Sequence, residues 1–347
     1  MPLSKIQTGN LGRRNILING DFQIFQRATS ATNPGGGYDT ADRWRSSQNS
    51  SGLGNYNAEQ STDTPDGFGF SYKLTKSGAT TISSGMSAYI QQYIEGQNVQ
   101  HLAYGSSSAK KVTASFHVKS SVTGTYGVRL GDGEAGKHNV QTFTISSANT
   151  WEKKVLTFNG DTATALANDN SAEFDFAIVL GAGSNYQTSS TNTWASGDKL
   201  STSSQTQWPQ TDGATFFMTG IQLEVGDTAT EFEHMSRHEM LLLCERYYQV
   251  YIAAAQEWIY NESGNATHKW WQSPIKVPMR ANPTTSDDGG FTGGAFGGTV
   301  SGITRQGISG DRCSWRVTFT GTIGDANKIY HTDNFDQNKI KMDSELG

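Results

Sequence analysis

A chain of 347 residues is long enough to bury one large core or two smaller ones. Its 27 basic and 32 acidic residues leave a formal charge of -5, which argues against a nucleic-acid binder, since that would need a basic patch. Aromatic residues make up 11%, too many for a disordered chain, and two cysteines, Cys244 and Cys313, are too few for a disulfide framework or a metal site.

Residues 1–14 are polar and lack the apolar core of a signal peptide; they read as an arm. No apolar run approaches the roughly 20 residues of a membrane span, so no membrane insertion is expected. From Ile16 the chain turns to β-patterning. Asn19-Gly20 is a turn dipeptide between two apolar runs. Pro34 to Gly37 is a Gly-rich loop, without the flanking strand and helix that a phosphate cradle requires. Apolar residues then recur at every second position: Phe68, Phe70, Tyr72 and Leu74; Ala88, Ile90 and Ile94; Val112, Ala114, Phe116 and Val118; Tyr126, Val128 and Leu130; Phe174, Phe176, Ile178 and Leu180. Such short alternating runs, divided by Gly, Ser, Asn and Asp, predict an all-β sandwich or barrel. Trp44 and Trp151 fall inside these patterns and are expected in the core.

Gly181 to Asp212 breaks the rhythm with a long polar loop carrying Tyr186, Trp194 and Trp208. An aromatic face beside amides and hydroxyls is what a sugar needs, so these three are the candidate glycan-binding residues, the competing reading being that they anchor the loop. The strand that follows, Thr215 to Val225, places Phe217, Thr219, Ile221, Leu223 and Val225 on one face and Phe216, Met218 and Gln222 on the other. Ser236 and Glu239 form a capping-box signature. Met240, Cys244, Tyr247, Tyr248 and Tyr251 then recur at helical spacing, predicting a helix over 234–250. Leu241, Leu242 and Leu243 point in three directions, so that helix must be covered on several sides. His234 and His238 lack a third ligand pattern and read as a solvated helix start rather than a metal site. Beyond it, Val250 to Tyr260, Thr267 to Trp271, Ser273 to Arg280 and the alternation Cys313, Trp315, Val317, Phe319 suggest a small β domain over 251–347 with a polar tail from Asn327. Trp258, Trp270, Trp271 and Phe291 are expected to pack there. No pair of carboxylates stands out for glycoside hydrolysis, and no nucleophile or phosphate motif is present, so no enzyme is expected.

Several stretches together resemble a family. Asn15-Ile16-Leu17-Ile18-Asn19-Gly20-Asp21-Phe22, Thr40-Ala41-Asp42-Arg43-Trp44, Tyr93-Ile94-Glu95-Gly96-Gln97, Ile221-Gln222-Leu223-Glu224-Val225-Gly226, Thr230-Glu231-Phe232-Glu233, Cys244-Glu245-Arg246-Tyr247-Tyr248 and Val277-Pro278-Met279-Arg280 come in the order of a domain of bacteriophage tail-fibre proteins, including many from marine phages. The resemblance implies a jelly-roll β-sandwich over 15–233, similar to carbohydrate-binding modules. It also implies a linking helix over 234–250 and a homotrimer in which Met240, Leu243, Cys244, Tyr247 and Tyr248 meet their copies. The expected role is that of a structural virion protein, made in the host cytoplasm, that attaches to host-surface glycan. The arm over 1–14 would dock on the tail or another virion protein. In such modules the Asn-Gly-x-Phe turn lies near a structural calcium ion. Gln23 stands where many carry Glu, which leaves Asp21 and Glu224 as the conceivable oxygen ligands; carboxylates without a metal are the preferred reading, and no other cofactor is expected.

Overall fold

The structure, a computed structural model, describes residues 13–132, 136–252, 259–261, 268–287, 299–309, 312–320 and 339–346. Nearly all of the arm expected over 1–14, Trp258 and Phe291 lie outside these residues. The chain divides into two compact units, Met1–Met240 with Leu346–Gly347, and Leu241–Glu345.

Period-two patterning builds the first unit. Its strands are β1 (Ser30–Thr32), β2 (Arg45–Asn49), β3 (Tyr56–Ser61), β4 (Ser71–Lys76), β5 (Ser87–Glu95), β6 (Val112–Ser120), β7 (Gly124–Asp132), β8 (Lys137–Ile145), β9 (Glu152–Phe158), β10 (Ala172–Ala182), β11 (Ala195–Ser196) and β12 (Thr215–Val225). They form two six-stranded antiparallel sheets, ordered β1-β3-β4-β12-β6-β9 (sheet A) and β11-β8-β7-β10-β5-β2 (sheet B). This is the expected jelly-roll sandwich. Val112, Ala114, Phe116 and Val118 of β6, Tyr126, Val128 and Leu130 of β7, and Phe174, Phe176, Ile178 and Leu180 of β10 all enter one core without exposure. Trp44 joins them, as its pattern predicted.

The opening motif closes this sandwich. Gly20 lies so close to β12 that a Cβ there would overlap the Ile221 carbonyl oxygen, while Ile221 N–H donates to Gly20 O at 2.9 Å. Asn19, at φ 57°, donates through its amide to the carbonyls of Ile24 and Asp42 and accepts from Ile24 N–H. The turn forms, with Phe22 N–H donating to Asn19 O at 3.2 Å, and it also joins distant segments. Asn15 pairs likewise with Ile221 O and Leu223 N–H, and Glu233 accepts from the N–H groups of Arg14 and Asn15. The two ends of the domain are thus tied by buried polar contacts.

Strand β12 departs from its expected alternation. Phe216 and Met218 face the core, and after Gly220, at φ 61°, so do Ile221 and Leu223. The pairing with β6 shifts register between Thr219 and Gln222. One extra residue at this β-bulge moves the apolar set to the opposite parity, so Phe217 faces outward.

The helix α1 covers Arg237–Glu245 only. The capping box forms as predicted: Ser236 N–H donates to Glu239 Oε2 at 3.1 Å and Glu239 N–H to Ser236 Oγ at 3.3 Å. The expectation of a helix to residue 250 is corrected at its end. Tyr247 N–H turns back to Cys244 O, and Tyr248 begins β13 (Tyr248–Ile252). The second unit holds two further sheets. β14 (Ile259–Asn261), β15 (His268–Pro274), β16 (Thr284–Asp287), β17 (Thr299–Ser309), β18 (Arg312–Thr320) and β19 (Lys339–Asp343) complete the chain, in the orders β13-β19-β16 and β14-β15-β18-β17. The supposed tail thus supplies the middle strand of a sheet. Aromatic and β-branched residues from Tyr248 to Ile252 pair with it, and that competing ladder ends the helix. Ser273 to Arg280 is no strand after Pro274; instead Lys276 Nζ meets the buried Glu245 at 2.8 Å and Arg280 N–H donates to Arg246 O.

Candidate functional site

In a two-layer sandwich half of each strand's side chains leave the core, and recognition must come from those or from loops. On sheet B the outward positions line up by register. Ser47 of β2 stands opposite Tyr89 of β5, which faces Val179 of β10 and then Gly127 of β7. In the next row Arg45, Gln91, Ala177 and Arg129 stand side by side. In the third, Tyr93, Asp175 and Gly131 do so, with His138 of β8 beyond. Small residues at the centre, Ala177, Gly127 and Gly131, are flanked by tyrosines, arginines, an amide and a carboxylate. Tyr89, Tyr93 and Arg45 are half-buried, whereas Gln91 is buried.

Electrostatics fix this face. The Arg45 guanidinium lies 5.5 Å from the Tyr93 ring centroid and 5.7 Å from that of Tyr38, within cation–π range. Its Nε is buried with no hydrogen-bond partner among the described residues. Arg129 pairs with Asp175 at 3.3 Å and with Asp198, on the long loop, at 3.6 Å. Burial pushes the Asp175 carboxyl above its ordinary value, and Arg129 opposes that shift. Burial also pushes the Tyr89 phenol up, with Arg129 opposing and Asp175 and Asp198 reinforcing, so Tyr89 stays a neutral hydroxyl donor. Ser47 Oγ donates to Gln91 Oε1 at 3.0 Å, which fixes the amide. The result is a shelf of half-exposed rings beside fixed planar polar groups, the combination that holds a sugar by its C–H face and its hydroxyls.

The long loop does not supply that combination. Trp208 is fully buried in the core, so its ring offers no face to a ligand. Trp194 packs edge-on to Tyr104 at 5.6 Å and against Phe174 at 6.2 Å, and its Nε1 donates to Asn159 O at 2.7 Å. Tyr186 packs, together with Tyr89, on a small cluster of Val179, Ala182 and Leu200. These rings anchor the loop and do not converge. Tryptophan buries its large apolar area wherever a loop lets it, and only its N–H then needs a partner. The residues that sequence reasoning missed, Tyr89, Gln91 and Tyr93, are the complement of a recognised pattern: where Ala88, Ile90 and Ile94 point inward, the positions between them carry aromatic and amide groups.

Trp151 is corrected as well. It lies half-exposed on the outward face of sheet A, edge-on to Phe217 at 6.1 Å, and its Nε1 donates to Asp63 Oδ1 at 3.1 Å. Lys119 sits 4.4 Å from the Phe217 centroid and 5.2 Å from that of Trp151 and forms an ion pair with Asp63. The hydrogen bond from Lys119 holds the Asp63 carboxyl below its usual range. Further along this face Phe68, expected in a strand, instead occupies a turn closed by its N–H to Pro65 O.

Asp21 and Glu224, the conceivable calcium ligands, are both engaged within the chain. Glu224 accepts from Thr230 N–H and Oγ1 at 2.8 Å each and from Gln222 Nε2 at 2.9 Å, and Gln23 Nε2 donates to Asp21 Oδ2 at 3.0 Å. Asp21 Oδ1 alone is left unpartnered among the described residues, where no three His, Cys, Asp or Glu side chains converge for a metal. Of the five helix residues expected to meet other copies, Met240, Cys244, Tyr247 and Tyr248 are buried within the single chain and Leu243 is half-buried; Leu242 is exposed.

No protein-family model and no curated protein matches this chain. Among solved structures, the enzymatically active domain of tailspike protein 4 of bacteriophage CBA120 aligns at 14% identity and a TM-score of 0.33, covering 61% of this chain and 21% of that one. The carbohydrate-binding module TmCBM61, solved with β-1,4-galactotriose, aligns at 9% identity and 0.33, covering 62% of this chain and 100% of that one. A family 11 carbohydrate-binding module of Clostridium thermocellum, solved with a mixed-linked tetrasaccharide, aligns at 13% identity and 0.26, covering 62% and 95%. Likeness at this level assigns neither a ligand nor an activity.

Proposed function

We propose that this chain is a non-enzymatic structural protein of a phage tail fibre or related appendage, whose jelly roll binds host-surface glycan on the outward face of sheet B. The order of the motifs from Asn15 to Pro283 supports the phage setting. The observation that carries the binding role is the set of half-buried Tyr89, Tyr93 and Arg45, held over the buried Gln91, Arg129 and Asp175. Affinity at one shallow shelf is modest, and several copies per particle raise it by avidity. Three copies fit that need. Their contact surface must differ from the one expected, because most of the helix residues assigned to it are already buried.

The test is an array of bacterial surface polysaccharides probed with the full chain and its Tyr93→Ala variant, together with an assay for new reducing ends. Binding by the wild type that Tyr93→Ala abolishes, without new reducing ends, supports the proposal. A blank array at multivalent display favours a purely architectural role, and new reducing ends favour a polysaccharide-degrading one. Sedimentation of the full chain reports the trimer, and a map of the particle reports its place there.

A further inference from the structure

A pocket of about 240 Å³ opens on the outward face of sheet A, on the opposite side of the sandwich from the shelf. The bulge at Gly220 makes its floor. Phe68 lies over that residue so closely that a Cβ there would stand 2.5 Å from the ring. Phe232 meets the Phe68 ring edge-on at 5.2 Å, and the His117 and His234 imidazoles lie 5.2 Å and 5.4 Å from it. The aromatic wall is therefore built from three separate segments: the turn after Asp63, β6, and the chain between β12 and α1.

The polar lining is mixed. Ser115 and Lys153 bring a hydroxyl and an ammonium, and Glu231 and Asp66 bring carboxylates. His117 Nδ1 is buried and has no hydrogen-bond partner among the described residues. It points toward Gly220, standing 3.1 Å from where a Cβ would be. Burial, with Lys153 adding to it and Glu231 opposing, holds this imidazole below its ordinary value of 6.5, so the ring is neutral at pH 7 and its Nδ1 is a donor or an acceptor according to tautomer. A buried polar atom without a partner is costly unless a ligand or water meets it.

These features select a ligand. Cationic and anionic groups line the same small space, so an ion of either sign meets a like charge. A purely apolar ligand leaves the hydroxyl, imidazole and carboxylate groups of the lining unmet. No three His, Cys, Asp or Glu side chains converge for a metal among the described residues. Hydroxyl groups donate and accept and so suit both kinds of partner. The volume falls below the range of about 300–1,000 Å³ typical of drug-sized ligands, which fits one ring rather than a chain of them. We propose that this pocket is a second carbohydrate site, distinct from the sheet B shelf, that takes a single neutral sugar unit against Phe68 and Phe232 with its hydroxyls toward His117, Ser115 and Glu231.

The experiment is NMR titration of the full chain with methyl glycosides of glucose, galactose and N-acetylglucosamine, one at a time. The expected result is saturable shifts at Phe68, His117 and Phe232 with at least one of the three. His117→Ala is expected to weaken that binding by roughly tenfold, the worth of one good hydrogen bond, and His117→Gln to restore part of it. Tyr93→Ala leaves the pocket shifts unchanged, which separates this proposal from the shelf. Thermal melts confirm that each variant is folded, and Phe68→Ala, which removes the ring platform while leaving His117, gives an independent loss if either histidine variant unfolds. No saturable shift with any of the three glycosides, or full binding retained in both His117→Ala and Phe68→Ala, overturns the proposal.

Discussion

The two outward faces of the sandwich share one core yet differ in construction. On sheet B the pairing of β2, β5, β10 and β7 stays in register between Phe174 and Val179, and the outward side chains form rows whose buried centre is rimmed by the half-buried Tyr89, Tyr93 and Arg45. On sheet A a single inserted residue at Gly220 breaks the register, and two loop segments close over the break to make a pocket. Beside it, Lys119, Trp151, Phe217 and Asp63 seal the face with their own contacts. The core demands apolar residues at only half the positions. Regular pairing then lays the other half out flat, and a bulge folds it into a concavity.

Several changes break or sharpen this contrast. Arg129→Ala strands Asp175, which is fully buried beneath the shelf, and should cost about 3–5 kcal/mol of stability in urea melts. Replacing both partners with apolar residues should recover most of that loss. Trp208→Ala should cost about 3–5 kcal/mol by emptying a core site, with glycan binding intact in the folded fraction. A variant that melts normally but loses binding would return Trp208 to the ligand. Gly220→Val should cost about 1–3 kcal/mol, because φ is positive and Phe68 occupies the space; it should disturb shifts on sheet A and leave those of β5 unmoved. Ser236→Ala removes one arm of the capping box and should cost about 1 kcal/mol.

The smallest effect expected is with pH. Burial holds His101, His117 and His138 below their ordinary value of 6.5, aided by Lys110, Lys153 and Arg129 respectively and opposed at His138 by its hydrogen bond to Gly197 O. The folded chain then binds fewer protons than the unfolded chain just below pH 6.5. Their contribution is full above that pH and is lost as pH falls toward the lowered values. The urea midpoint should therefore be lower at pH 5.5 than at pH 7.5; a higher one would show that the carboxyls burial holds above their ordinary value, Asp21, Asp39 and Asp175, outweigh the imidazoles.

The sandwich was legible because alternation is a local signal. Val112 to Val118 shows it in every pair of residues, and the core follows. The parity change in β12 was not legible, since Thr219-Gly220-Ile221 reads as an unbroken strand until its partner β6 imposes the count. Nor was the end of the helix: Tyr247 and Tyr248 suit either period, and a strand some 90 residues later, Lys339–Asp343, decides between them. The candidate site was sought where aromatics were conspicuous. Trp194 and Trp208 drew attention because they stand in a polar loop, but a large ring in a polar loop is what holds such a loop down. Tyr89 and Tyr93 were hidden by the apolar residues between them.

Hydrogen exchange of the full chain, with and without the oligosaccharide that binds best on the array, tests the shelf most directly. The account predicts slowed exchange in Arg45–Asn49 and Ser87–Glu95, with the loop from Gly181 to Asp212 little changed. Protection confined to that loop, with β2 and β5 unaltered, would contradict it.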